Sequence, residues 1–236
     1  MPTNEDILSN GLLALCQNDP VIACIVTPRH DAIITLLEQY ITRIEIFNPA
    51  LKLVGTNDRR DLIVKHILDS LSPLGIIACQ NKGLHIADIG SGAGFPGIPL
   101  AIALPDIQFT LIERKNRRAV FLRNTREALV AGGCNGLSNV TVEEAEMEKV
   151  KPGRFSLVTF RALCPLDRKI YKKLSRLCTD GGVLAAYKGR RQKTEDEITA
   201  LEKVLPFVAG RWKLLPCPVP MLDEERHLLL IKPYCS

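Results

Sequence analysis

Residues Leu84-His85-Ile86-Ala87-Asp88-Ile89-Gly90-Ser91-Gly92-Ala93-Gly94-Phe95-Pro96-Gly97 run a short apolar segment straight into three alternate glycines. The first six positions suit a buried strand. The glycines let the backbone turn sharply and leave room for a ligand where any Cβ would collide. In an open α/β sheet a loop of this kind lies at the carboxyl end of its strand, where ligands bind.

Strands and helices alternate outward from this loop. Strands are expected at Leu84–Ile89, Gln108–Glu113, Val140–Glu143, Phe155–Phe160 and Gly182–Tyr187, with helices near 96–104, 115–131, 165–178 and 194–205. That rhythm predicts a parallel, doubly wound sheet. Arg211–Leu215 and His227–Lys232 are two further strands with a proline-rich link and no helix between them, so they should pair antiparallel at one side. Upstream, the first 80 residues read as helical. Thr27-Pro28 opens a helix whose apolar face is Ile33, Leu37, Tyr40, Ile44 and Phe47, and Asn48-Pro49 closes it. Asp58 caps a second helix carrying Leu62, Ile63, Ile67 and Leu71, broken by Ser72-Pro73-Leu74-Gly75. The expected division is a helical extension over 1–80 and one compact nucleotide-binding unit over 81–236.

Two nucleotide readings compete for the glycine loop. Gly92-x-Gly94-x-x-Gly97 matches the dinucleotide fingerprint, with Glu113 ending the second strand near the expected spacing, so an NAD-linked oxidoreductase must be weighed. Asp88 argues against it: a carboxylate beside the loop repels a pyrophosphate and attracts the ammonium of S-adenosylmethionine. The dinucleotide register also leaves Gly90 idle, whereas Asp88-x-Gly90-x-Gly92-x-Gly94 uses every residue. Glu113 can accept ribose hydroxyls in either case. A phosphate-binding P-loop is excluded, because Ile98 and Pro99 stand where Lys and Ser/Thr are needed.

Composition sets wider bounds. With 236 residues, 46% hydrophobic and 24% charged, the chain is an ordinary globular one with room for one sizeable α/β domain. A net charge of +5 suits a polyanionic partner without requiring one. The eight cysteines show no Cys-x-x-Cys pair and no partnered histidine spacing, so they read as small buried hydrophobes of a reducing cytoplasm and no metal is expected. Glu5 and Asp6 precede any apolar stretch, unlike a signal peptide, and runs such as Val21–Val26 are far short of a membrane span.

Collectively, several short pieces resemble the RsmG (GidB) family over roughly residues 35–233. They are Asp88–Pro99 with its Phe-Pro-Gly-Ile-Pro extension, His66-Ile67-Leu68-Asp69-Ser70, Arg161-Ala162, Lys188-Gly189 and Glu225-Arg226-His227. The resemblance implies a Rossmann-like class I methyltransferase, mostly parallel with an antiparallel C-terminal strand, plus the N-terminal helical extension. It implies an S-adenosyl-L-methionine cofactor and transfer of a methyl group to guanine N7 of 16S ribosomal RNA, free or in the small ribosomal subunit. It also implies cofactor contacts at Gly90, Phe95, Ala145, Glu146 and Arg161, beside the loop residues Asp88, Gly92, Gly94 and Glu113. Phe47-Asn48 and Lys52-Leu53-Val54 depart from the family pattern in the first helical region. A class I methyltransferase acting on another RNA base or a small molecule is the alternative within the fold.

Guanine N7 carries a free lone pair, so the chemistry needs positioning and no catalytic base. The sequence after the fourth strand agrees: Arg161-Ala-Leu-Cys-Pro replaces the Asn/Asp-Pro-Pro-Tyr/Phe of amino methylases, and Cys164-Pro165 reverses the Pro-Cys order of cytosine C5 methylases. Cys164 then reads as a structural thiol. RNA contacts are expected from Arg117 and Arg118 after the second strand and from Lys188, Arg190, Arg191 and Lys193 after the fifth, although helix surfaces are commonly charged. His66 and Asp69, one turn apart, read as a hydrogen-bonded pair more than a catalytic one.

Overall fold

The computed structural model describes residues 4–80, 85–132 and 136–233. Leu84 of the first expected strand, Cys134 and Cys235 lie outside them. Seven strands form one sheet in the order β3-β2-β1-β4-β5-β7-β6. They are β1 (His85–Ile89), β2 (Gln108–Ile112), β3 (Val140–Glu143), β4 (Phe155–Arg161), β5 (Cys178–Lys188), β6 (Trp212–Pro216) and β7 (His227–Ile231). The first five are parallel. β7 slots between β5 and β6, antiparallel to both, as the helix-free C-terminal link requires. The strand order reverses between β1 and β4, which opens a crevice at their carboxyl ends.

Alternate residues feed two cores. Ile86, Leu157, Val183, Ala185, Leu228 and Leu230 face one layer, and Ala87, Val158, Leu184, Ala186, Leu229 and Ile231 face the other. The second layer is α9 (Arg168–Ser175) and α10 (Arg191–Val204). The first holds α7 (Gly97–Ala103), α8 (Asn116–Ala131) and the N-terminal helices. These are α1 (Asn4–Asn18), α2 (Pro20–Val26), α3 (His30–Leu51), α4 (Arg59–Leu62), α5 (Asp69–Leu71) and α6 (Leu74–Gln80). Two helical stretches, Pro20–Leu51 and Arg59–Gln80, are long and apolar enough by length and composition to cross a membrane, which inspection of uninterrupted apolar runs does not reveal. Here Ile33, Leu37, Tyr40 and Ile44 of the first and Ile63, Ile67 and Leu71 of the second are buried in the layer against the sheet.

Several boundaries differ from the sequence reading. Thr27–Arg29 is a 3-10 turn linking α2 to α3, not the start of a helix. Asn48-Pro49 does not end α3, which runs to Leu51 and closes on left-handed Lys52. The buried Asn48 is held helical by its side chain, which donates to Thr56 O and Asn57 Oδ1 and accepts from Val54 N–H. Those tertiary bonds override the usual effect of a following proline. Asp58 caps α4 as expected, accepting from Asp61 N–H at 2.8 Å. The helix expected over 165–178 shrinks to α9, because Asp167 accepts from Ile170 N–H and Leu177 O already receives the amides of Arg154 and Phe155. β5 accordingly begins at Cys178, with a register shift opposite Phe155–Leu157.

Candidate methyl-transfer site

The loop after β1 has the backbone that its glycines predict. Gly90, Gly92 and Gly94 all take positive φ (71°, 59° and 109°). Their surroundings differ. A Cβ on Gly94 would lie 2.5 Å from Ile98 Cδ1 and 2.9 Å from the Tyr40 hydroxyl, so that glycine is required by packing. A Cβ on Gly92 would meet nothing nearer than Arg118 Nη1 at 3.7 Å, so the space above it is open. The loop is braced from α3, where the Tyr40 hydroxyl donates to Ala93 O at 2.8 Å.

Two carboxylates frame the loop. Glu113, following β2, accepts from Gly92 N–H at 2.9 Å and from Lys115 N–H at 2.8 Å. Asp88 is fully buried beneath it; Oδ2 accepts from Gly97 N–H at 3.2 Å and Oδ1 has no hydrogen-bond partner. Burial raises its pKa to about 7, against the smaller opposing effects of the Gly97 hydrogen bond, the adjacent Ser91 hydroxyl and Arg161. A buried, under-satisfied carboxylate below an open glycine turn, with a second carboxylate at the carboxyl end of the neighbouring strand bonded to the same turn, fits a cationic nucleoside donor. It disfavours a pyrophosphate. Beyond β3, Ala145 is half-buried and Glu146 exposed at the same sheet end.

Arg161, at the end of β4, is engaged on every side. It donates to Asp69 Oδ2 at 2.8 Å, to His66 Nδ1 at 2.9 Å and to Lys65 O at 3.3 Å, and its guanidinium lies 5.1 Å from the Phe95 ring centroid. Asp69 is buried and also accepts from Arg226 Nε at 3.0 Å. His66 and Asp69 are therefore joined through Arg161 and not directly to each other. The segment Ile63–Leu68 is π-helical, with the Asp69 amide bonding back to Val64 O, so the ordinary one-turn spacing does not apply. Because a guanidinium only donates, His66 Nδ1 must carry the lone pair and Nε2 the proton. Burial and the Arg161 charge hold this imidazole neutral, with its pKa lowered to about 4. Phe95 is buried against Tyr40, His66 and Arg161, so its side chain supports Arg161.

A cavity of about 2040 Å³ opens beside this cluster. Its wall brings together His66, Asp69, Arg161, Ala162, Lys188, Gly189 and the Glu225-Arg226-His227 turn, which the sequence scatters over 160 residues. His227 Nδ1 donates to Gly189 O at 2.7 Å and the Tyr187 hydroxyl to Ser70 O at 2.7 Å, fastening the wall. Ala162 adopts φ 50°, a costly conformation for a residue with a Cβ, and turns the chain so that Leu163 lies between the cavity and Gly90. The glycine loop and the cavity are thus adjacent and separated by one side chain.

The basic residues singled out from sequence divide. Arg117 is exposed and Arg118 lies beside Gly92, donating to Lys52 O, on the loop side. Lys188 is bound by both oxygens of Glu197 at 2.8 Å and has no free charge to offer. Arg190 lines the cavity, while Arg191 pairs with Glu195 at 3.1 Å. Cys164 stands exposed on the cavity wall, as Cys24 and Cys79 are exposed elsewhere, so the expectation of small buried thiols holds for Cys178 and Cys217 and not for these three. Residue spacing carried no sign of the Asp69–Arg161–Arg226 cluster; the only hint was that each member lies in a short piece shared with one family.

Comparisons with known proteins bear on the family and the fold. Residues 33–227 match the family model GidB, rRNA small subunit methyltransferase G. Proteins named ribosomal RNA small subunit methyltransferase G include one from Treponema pallidum, 38% identical over 210 residues with 87% of each chain covered. Another, from Treponema denticola, is 33% identical with 97% of this chain and 96% of its own covered. Among solved structures, a predicted O-methyltransferase from Agrobacterium tumefaciens superposes with TM-score 0.55 at 23% identity, over 72% of this chain and 81% of its own. A tRNA (m1A58) methyltransferase from Aquifex aeolicus does so with TM-score 0.52 at 12% identity, over 72% and 69%. The oxidoreductase alternative is set aside, and the chain belongs to the rRNA small subunit methyltransferase G family of S-adenosylmethionine-dependent enzymes.

Proposed function

We propose that this protein methylates N7 of a guanine in 16S ribosomal RNA, in the cytoplasm, on RNA that is free or already in the small subunit. The observation that carries this reading is the full engagement of Asp69, the buried carboxylate on the cavity wall, by Arg161 and Arg226. His66 cannot take its place, since Nδ1 already accepts from Arg161. The residues at the end of β4 therefore present hydrogen-bond donors and no poised proton acceptor, which suits a nucleophile with no proton to lose. Holding N7 at near-attack distance can itself supply roughly 7–11 kcal/mol.

S-adenosylmethionine supplies an electrophilic sulfonium methyl when bound. Gly90 and Gly92 would let it approach the backbone, Asp88 would face its ammonium, Glu113 its ribose hydroxyls, and Ala145-Glu146 its adenine edge. Arg161, held by three acceptors, shapes the passage past Leu163 between donor and base.

The test incubates the purified enzyme with small subunits from cells lacking it and maps the methyl group by borohydride and aniline cleavage, which is selective for 7-methylguanosine. Cleavage at one guanine is expected. A methyl group on an exocyclic amine, a ribose or a metabolite would overturn the assignment.

A further inference from the structure

The cavity is larger than one base requires. Sites for small ligands typically occupy about 300–1,000 Å³, and this one, at about 2040 Å³, continues from the Arg161 cluster into the groove between α9 and α10. Its far wall is cationic. Arg168, Lys169 and Lys172 of α9 and Lys193 of α10 all line it. Among the described residues, none of the four has an ion-pair partner. Of the acids lining the same cavity, Glu197 holds Lys188 and Glu224 pairs with Arg226, while Asp167 and Asp196 accept only from neutral N–H donors, the Ile170 amide and the Gln192 side chain.

The helix itself carries an uncompensated load. Its sequence, Arg168-Lys-Ile-Tyr-Lys-Lys-Leu-Ser175, has four cations and no acid. Arg168 and Lys172, and Lys169 and Lys173, sit four apart, a spacing at which like charges repel. Lys173 finds Glu148, while Tyr171 and Leu174 are buried as the anchoring face.

We propose that the α9–α10 groove is an RNA-backbone track, in which Lys169, Lys172 and Lys193 hold phosphates of nucleotides flanking the target base. This rests on the methyltransferase reading above and joins Lys193, one of the basic residues after β5, to a row of α9 cations that the sequence reading did not single out. Phosphate is the fitting partner because the charges are mobile ammoniums spread along an open groove, which supply electrostatic, sequence-independent binding.

The test compares wild type, Lys169→Glu with Lys172→Glu, the neutral Lys169→Gln with Lys172→Gln, and a control, Lys213→Glu, from the exposed face of β6. Affinity for deproteinised 16S RNA and for small subunits is measured against salt, and S-adenosylhomocysteine affinity by calorimetry. Losing two phosphate contacts should lower the slope of log affinity against log salt by roughly 1.4–1.8. RNA affinity should fall tenfold or more at low salt, less so in the neutral pair, with cofactor affinity and the control unchanged. If wild type binds and methylates RNA while the Glu pair keeps its affinity and slope, the track is refuted and the enzymatic reading stands. If wild type itself neither binds nor methylates RNA, both fail. Loss of cofactor affinity in the Glu pair but not in the Gln pair would show a long-range charge effect and would also refute the track.

Discussion

Arg161 at the end of β4 donates to Asp69 Oδ2 at 2.8 Å, and Asp69 accepts in turn from Arg226 Nε at 3.0 Å, so one buried carboxylate ties the N-terminal helices to two separate parts of the sheet. Without it two guanidiniums would face each other across the cavity wall. Removing one partner of a buried ion pair commonly costs about 3–5 kcal/mol. Both arginines retain some solvent contact, which places this case at the lower end.

Asp69→Asn is therefore expected to destabilise the protein by about 3 kcal/mol, read from the urea midpoint at constant slope. Arg161→Lys should lose part of this, since one ammonium cannot serve Asp69, His66 and Lys65 O together. An Asp69→Asn protein as stable as wild type would show that the cluster contributes no stability.

The glycines of the loop should separate into two kinds. Gly92→Val places its side chain in open space at φ 59°, so the fold should survive with a stability loss of about 1–2 kcal/mol. Affinity for S-adenosylhomocysteine should fall at least a hundredfold. Gly94→Val meets Ile98 and Tyr40 and should fail to fold at 37 °C. Calorimetry and circular dichroism distinguish the two; normal cofactor affinity in Gly92→Val would remove the loop from the site.

Asp88 makes both stability and cofactor binding depend on pH. Its folded pKa, about 7, lies above the unfolded value near 3.8, so between these values the unfolded chain loses a proton that the folded one keeps. This group's contribution to stability consequently falls as pH rises from about 4 to 7 and is flat above. A bound ammonium favours the ionised form, so S-adenosylhomocysteine should bind more tightly as pH rises toward 7, releasing a proton. Asp88→Asn should abolish that part of both dependences. Matching pH profiles in wild type and variant would contradict the assignment.

His66 carries the opposite sign. Its folded pKa of about 4 lies below the ordinary 6.5, so its contribution to stability is complete above 6.5 and is lost as pH falls toward 4. Nitrogen-15 spectra should show an imidazole protonated at Nε2 that does not titrate between pH 6 and 8. A midpoint near 6.5 would mean that the bond from Arg161 is not made in solution.

Much of the architecture was legible in the chain. The glycine loop, five strands alternating with four helices and a helix-free tail are local patterns, and local patterns are what one-dimensional spacing records. Asp58 was recognised as a cap because its partner is three residues away. Asn48 was misread as a helix end because its partners are Val54, Thr56 and Asn57, in a loop whose shape spacing does not encode. Lys188 read as a free cation because Glu197, nine residues on, reaches it only after α10 folds back over β5.

The sequence by itself determined the glycine-rich turn after β1, the order of strands and helices along the chain and, through five short shared pieces, the family. Only the tertiary structure decided that four of those pieces meet on one cavity wall, with the glycine loop next to it, and that Asp69 is neutralised by two arginines. The same holds for the π-helical turn that aims His66 at Arg161 and for the unpaired cations of α9 facing the same cavity. The reason is physical: backbone preference and hydrophobic period act over a few residues, whereas charge pairing and cavity shape depend on which distant segments packing brings within a few ångströms.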